Sequence, residues 1–345
     1  MMDVSATSPA GDHQALLSVK DLSVRFVSRD WTVSAVNGVS FDLAAGEVVC
    51  IIGESGSGKS VTMRALMRLL PTDRSRISGN ITIDGTDVLS LSERQLSAVR
   101  GAKISMIFQE PMTALDPVFT IGDQITETLM RHRRISRADA RKRALELLEL
   151  VRIPSPERRL NNYPHELSGG LRQRAMIAVA LSCGPKLLLA DEPTTALDAT
   201  VQIQVLILLK KLQQELGMSI IFVTHDLAVA AQIADRVAVM YAGRIIEYGA
   251  ARDVLLNPQH PYTLGMLAST VHGQDRTRDI EAIPGSPPDM RDPPPGCSFA
   301  PRCKYVHAEC SEAMPSAIPV HGGGYARCIR LEAVAESRSY SSTSV

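Results

Sequence analysis

No apolar run in this chain approaches the roughly 18 uninterrupted residues that a membrane-crossing helix needs. "AMIAVALSCG" stops at Pro185, and "KLLLA" runs directly into Asp191. Neither sign of charge is in excess, since Lys and Arg total 37 and Asp and Glu total 37. Such a neutral chain is no electrostatic magnet for nucleic acid or anionic lipid. The N-terminus "MMDVSATSPAGDHQALL" lacks a basic start followed by an apolar core, so it does not read as a signal peptide. Cysteine is scarce, with six in 345 residues, and tryptophan occurs once, at Trp31. These absences point to the cytosol, where thiols stay reduced and disulfides are not expected. What is present is ordinary for a globular protein: 45% hydrophobic and 21% charged residues, in a chain long enough for one large domain or two smaller ones.

The pattern along the chain predicts an α/β protein. Residues 1–14 read as a loose tail. "LLSVKDLSVRFV" alternates as an exposed-edge strand would, whereas "VVCIIG", "LLLAD" and "SIIFVTH" are apolar on both faces, as buried central strands are. "VTMRALMRLL", "TVQIQVLILLKKLQQELG" and "DLAVAAQIAD" read as helices, and "GNITIDGTDVLSL" and "RVAVMYAGRIIEYG" as strand pairs. Residues from about 111 to 165 turn helical, with "RADARKRALELLELVRI" the clearest amphipathic stretch. Buried strands alternating with helices imply a mostly parallel sheet covered on both faces. Past residue 270 the composition changes. "IPGSPPDMRDPPPGC" is too rich in proline for helix or central strand, so a small module is expected over 271–331 and a disordered tail over 332–345.

"GESGSGKS", Gly53 to Ser60, lies between a buried strand and a helix, the context in which a phosphate-binding loop works. Gly53, Gly56 and Gly58 let backbone N–H groups turn toward phosphate oxygens, and the following helix N-terminus favours negative charge. Lys59 would bridge the β- and γ-phosphates, and the Ser60 hydroxyl would ligate Mg²⁺. Asp191 ends a buried strand, where its carboxylate can hold the Mg²⁺ shell, and Glu192 follows at the tip. There it can orient the water that attacks the γ-phosphorus.

"LSGGLRQR", Leu167 to Arg174, precedes that strand by one helix and resembles the signature of ATP-binding-cassette ATPases. The family's other motifs are present in order. Phe108-Gln109-Glu110 resembles the glutamine loop, Thr195-Ala196-Leu197-Asp198 the loop after the acidic strand, and His225 in "FVTHD" the switch histidine. The resemblance spans about Leu17 to Tyr262. It implies a cassette with an N-terminal antiparallel β subdomain, a parallel-sheet core and a helical subdomain. It further implies a head-to-tail dimer in which Leu167, Ser168, Gly169, Gly170 and Leu171 close on ATP held by the neighbour, with Asp198 in the intervening loop. The candidate catalytic residues are Glu192, His225 and Gln109, and the Mg²⁺ set is Ser60, Gln109 and Asp191. The ATP-binding set is Phe26, Gly53, Ser55, Gly56, Ser57, Gly58, Lys59, Ser60, Val61 and Asp191. Phe26 fits best as the aromatic that stacks on adenine, with Trp31 the alternative. Two positions depart from the family's common residues: Leu171 stands where glutamine is frequent, and Val61 where threonine is.

"FQEPMTALDPVFTIGDQI", "NPQHPYTLGML" and "PGSPPDMRDPPPGCSFAPRC" resemble the peptide and nickel uptake subgroup. That likeness implies the ATPase of an importer for dipeptides or oligopeptides, with nickel or glutathione-type cargo as alternatives. It implies a second, paralogous ATP-binding subunit in a heterodimer, two membrane permease subunits and an extracytoplasmic binding protein. The expected place is the cytoplasmic face of the inner membrane. A soluble cassette ATPase of DNA repair or translation is the rival reading. The single cassette, the lack of a heptad arm and the zero net charge weigh against it. Cys297, Cys303, Cys310 and Cys328 fall in the proline-rich module, which needs a staple. Their spacing lacks the C-x-x-C pairs usual for zinc, and iron–sulfur ligation has no single spacing rule. The subgroup resemblance points to a [4Fe–4S] cluster on these four, with Zn²⁺ the alternative.

Overall fold

The structure, a computed structural model, describes residues 15–195, 197–269 and 282–342. The expected loose tail at 1–14 lies outside the described residues, as does Ala196.

Two sheets organise the described chain. The first contains β1 (Leu17–Val27), β2 (Thr32–Leu43), β4 (Ser75–Ile83) and β5 (Thr86–Asp87), antiparallel in the order β2-β1-β4-β5. The alternating β1 is therefore not an edge strand, because β2 and β4 pair with it on either side. Alternation reports that one face of a strand is buried and says nothing of whether its edges are paired.

The second sheet contains β3 (Val48–Ile52), β6 (Ile104–Ile107), β7 (Leu187–Asp191), β8 (Ser219–Thr224), β9 (Arg236–Tyr241), β10 (Arg244–Ala250), β11 (Ile318–Val320) and β12 (Gly324–Ala326). Its order is β11-β12-β10-β9-β3-β8-β7-β6. From β9 to β6 the pairings are parallel, and every residue of β3, β7 and β8 is buried. The two-residue period of a strand divides these side chains between two cores. Val48, Cys50 and Ile52 join one with Leu188, Ala190, Ile220 and Phe222, beneath helices that include Ile121–Arg133, Arg137–Leu150, Gly169–Leu181 and Ala199–Leu216. Val49 and Ile51 join the other with Leu187, Leu189, Ile221 and Val223, against the antiparallel sheet and the helix Lys59–Leu66.

The helical insertion follows β6. Thr120 and Ser136 accept from Asp123 and Asp139 backbone N–H groups and so start its two long helices.

The C-terminal region is less separate than its composition suggests. Strand β12 pairs with β10 and so extends the main sheet, while Phe299 belongs to the main core. The region borrows the core it could not build alone. The chain from Leu331 to Ser342 forms a helix where a disordered tail was expected, with Val334 fully buried. A polar, serine-rich composition did not reveal that one apolar anchor.

Candidate active site

The carboxyl ends of four neighbouring parallel strands face one crevice, where open α/β sheets bind ligands. The loop 53–58 leaves β3, His225 follows β8, Asp191 and Glu192 stand at the end of β7, and Gln109 follows β6. Residues up to 172 positions apart in the chain thus meet because four adjacent strands stop together.

The phosphate loop needs its glycines. Gly53 has φ +153° and a Cβ there would sit 2.1 Å from the Met240 carbonyl oxygen; at Gly58, with φ +103°, it would sit 2.5 Å from that of Ala35. The loop is therefore wedged between β2 and β9. Lys59 is buried, and its Nζ donates to the carbonyls of Gly53 at 2.7 Å and Glu54 at 2.9 Å. Burial pulls its pKa down, against the opposing pull of Glu192, Asp191 and Glu54. This is a cation short of water, to which an incoming phosphate would be a strong counter-charge. The Ser57 hydroxyl is buried with no hydrogen-bond partner, an orphan that a phosphate oxygen would satisfy. Ser55 and Gly56 are exposed at the loop tip, and Val61 is half-buried against the second core.

Ser60 Oγ donates to Asp191 Oδ1 at 2.8 Å. Asp191 is 1% exposed, and burial raises its pKa despite the Ser60 hydrogen bond. A buried carboxylate beside a hydroxyl is an oxygen donor set suited to Mg²⁺, which would restore the charge that burial disfavours. The residues fit the ion.

Three side chains converge on one oxygen of Glu192. Thr195 Oγ1 donates to Oε2 at 2.9 Å, His225 Nδ1 lies 3.2 Å from it, and Gln109 Nε2 reaches it at 3.5 Å. Glu192 has φ +46°, a sparsely populated conformation for a side chain of its kind and one that clusters at functional sites. The structure brings Gln109 and His225 together at Glu192. Thr195 was legible only as part of the following loop. Its place three residues after Glu192, the reach of a hydroxyl closing a turn, is the signal that marks its contact.

Ser168 is the N-cap of the helix Gly169–Leu181, with its hydroxyl unused by the cap. A Cβ on Gly170 would sit 2.7 Å from Val201 Cγ1, and one on Gly169 would sit 3.8 Å from Leu197. Leu167 is buried and Leu171 half-buried. Asp198 caps the helix Ala199–Leu216 by accepting from Val201 N–H at 3.0 Å. Among the described residues no hydrogen bond joins Leu167–Leu171 to Gly53–Ser60. Phe26 spends part of its ring on the second core, whereas Trp31, just before β2, is 47% exposed.

The four late cysteines line one pocket, together with His260 and Phe299. Burial raises the pKa of Cys297, Cys303 and Cys328, the last to about 11. Among the described residues, no three His, Cys, Asp or Glu side chains form a group that could hold a metal ion. The thiols share a pocket without closing on a common point. Cys50 and Cys183 are buried in the strand β3 and after the helix Gly169–Leu181.

Residues 36–195 match the family model for the ABC transporter, and residues 246–310 match that for the oligopeptide/dipeptide transporter C-terminal region. The oligopeptide transport ATP-binding protein OppD of Bacillus subtilis is 53% identical over 294 residues, covering 84% of this chain and 82% of that one. The chain belongs to the ABC transporter family. The dipeptide transport ATP-binding protein DppD of Bacillus subtilis is 50% identical, over 88% of this chain and 90% of its own. The cassette also resembles a solved dimeric ATP-binding cassette in a post-hydrolysis state bound to ADP and Pi, with TM-score 0.62 and 33% identity. That likeness covers 68% of this chain and 99% of the other. This ABC cassette is an ATPase that uses ATP and Mg²⁺. Among its described residues no helix is long and apolar enough to cross a membrane.

Proposed function

We propose that this ATPase powers a bacterial importer of dipeptides or oligopeptides from the cytoplasmic face of the inner membrane. The observation that carries the cargo class is the match of residues 246–310 to the oligopeptide/dipeptide transporter C-terminal region, with relatives named for peptide transport. Two separate permease subunits would form the pore, an extracytoplasmic binding protein would deliver the peptide, and a paralogous ATP-binding subunit would complete a head-to-tail heterodimer. Support for the dimer lies in the helix start at Ser168, Gly169 and Gly170. It is a second anion-binding terminus that makes no hydrogen bond to the chain's own phosphate loop. Co-purification of tagged chain from solubilised membranes checks this. Recovery of nucleic acid or ribosomes instead of permeases would sink it.

The chemistry follows from the crevice. Backbone N–H groups of 53–58 cradle the phosphates, and Lys59 leaves its loop carbonyls for phosphate oxygens. Mg²⁺, when bound, neutralises charge developing on the phosphates; Ser60, Asp191 and Gln109 are the residues that would hold it. Glu192 accepts a hydrogen bond from the attacking water, while Thr195, His225 and Gln109 fix the carboxylate's orientation.

We further infer that Cys297, Cys303, Cys310 and Cys328 bind a [4Fe–4S] cluster, with Zn²⁺ as the alternative. The support is the single pocket that all four cysteines line. The cluster's part is structural, and no step of hydrolysis runs through it. Metal analysis and ultraviolet–visible spectra of anaerobically purified protein test this. Colourless, iron-free protein loaded with zinc would reject it.

A further inference from the structure

The segment between the proline-rich stretch and Cys303 reaches the phosphate loop directly. Arg302, whose side chain is 6% exposed, grips Glu54 with a two-pronged fork. Its Nη1 donates to Glu54 Oε2 at 2.9 Å and its Nη2 to Oε1 at 3.1 Å, across 248 positions of sequence. The same guanidinium donates to the Tyr241 hydroxyl at 3.2 Å and to the Pro284 carbonyl at 2.8 Å, and lies 5.9 Å from the centre of the Phe299 ring. All three functional parts of Glu54 are thereby held. Arg302 holds the carboxylate, the Tyr262 hydroxyl accepts from the backbone N–H at 2.9 Å, and the carbonyl accepts from Lys59 Nζ.

Glu54 is the second residue of the phosphate loop, and a carboxylate there is a liability. It places a negative charge beside the site for a polyanion, with only partial solvent screening, since its side chain is 28% exposed. A bidentate guanidinium both neutralises that charge and fixes the plane of the carboxylate. We propose that Arg302 is a positioning residue for nucleotide binding: from the C-terminal region it cancels the Glu54 charge and holds the start of the phosphate loop in its binding shape. The C-terminal region is thus part of the nucleotide site, whatever its cysteines hold. Arg302 itself does not touch the reacting atoms.

The test is a charge-rescue cycle in the full chain assembled with its partners. Arg302→Gln keeps most of the stem but removes the charge, and should raise the Kd for MgATP about tenfold, roughly 1.4 kcal/mol. At saturating ATP, kcat should stay within about twofold, because Glu192 and its three partners are untouched. Arg302→Lys keeps the charge without the fork and should fall between wild type and Arg302→Gln. Glu54→Gln in the Arg302→Gln background removes the carboxylate that was left unpaired, and should restore affinity to within about threefold of wild type. A purely structural arginine would give no such rescue. Unchanged MgATP affinity in Arg302→Gln, or a double variant no better than the single one, would overturn the proposal. If Arg302→Gln does not fold, Arg302→Lys decides it: losing the fork should raise the Kd for MgATP above wild type with kcat within about twofold, and wild-type affinity would overturn the proposal.

Discussion

Glu192→Gln separates binding from hydrolysis because of how the carboxylate is held. Three groups point at Oε2, and an amide can place its carbonyl oxygen at that position and keep all three contacts. The amide nitrogen then stands at Oε1, where it donates and cannot accept from water. What is lost is the water-orienting acceptor, and the architecture stays intact. A positioned base contributes about 10²- to 10⁴-fold, which is about 2.7–5.4 kcal/mol of barrier. Hydrolysis should fall by that factor in a single-turnover assay of the assembled transporter. MgATP affinity should be unchanged or tighter, and the ATP-bound dimer should accumulate on size-exclusion chromatography. A loss of less than tenfold, with normal assembly, would refute Glu192 as the water-orienting group.

Lys59→Ala should weaken MgATP binding by about 10- to 100-fold, the worth of a charged hydrogen bond. Its effect on the melting temperature of the nucleotide-free protein should stay modest, about 1–3 kcal/mol of stability, the cost of leaving the Gly53 and Glu54 carbonyls without their donor. A large loss of stability with intact affinity would contradict that reading. Gly53→Ala should cost about 1–3 kcal/mol in the folded state, because its methyl would meet the Met240 carbonyl. Thermal denaturation checks this, and an unchanged melting temperature would count against a strained loop. Binding of ATP should alter the fluorescence of Trp31 if that ring, 47% exposed, stacks on adenine. Unaltered emission, together with weakened binding in Phe26→Ala, would assign the base to Phe26.

Much of the site could be read along the chain. The order of "GESGSGKS", "LSGGLRQR", "LLLADEP" and "FVTHD" implied a cassette, and the doubly apolar strands implied a parallel sheet. What could not be read were contacts set by pairing between distant strands. The strand β1 alternates, yet alternation is equally true of an edge and an interior strand, and only the pairing with β2 and β4 settles its place. The C-terminal region looked coreless because its prolines dominate the composition. Its few apolar residues are spent on another part of the chain, with Phe299 against Tyr241 and Tyr262.

The sequence by itself determined the reaction class, because phosphate loops and the acidic strand end work through local backbone geometry and neighbouring residues. Tertiary structure alone decided which groups share an atom. The convergence of Gln109, Thr195 and His225 on Glu192 Oε2 depends on three strands ending side by side. The grip of Arg302 on Glu54 depends on a late segment packing against β9 and the phosphate loop. Neither follows from spacing, because hydrogen bonds act over about 3 Å of space, whatever number of residues lies between the partners.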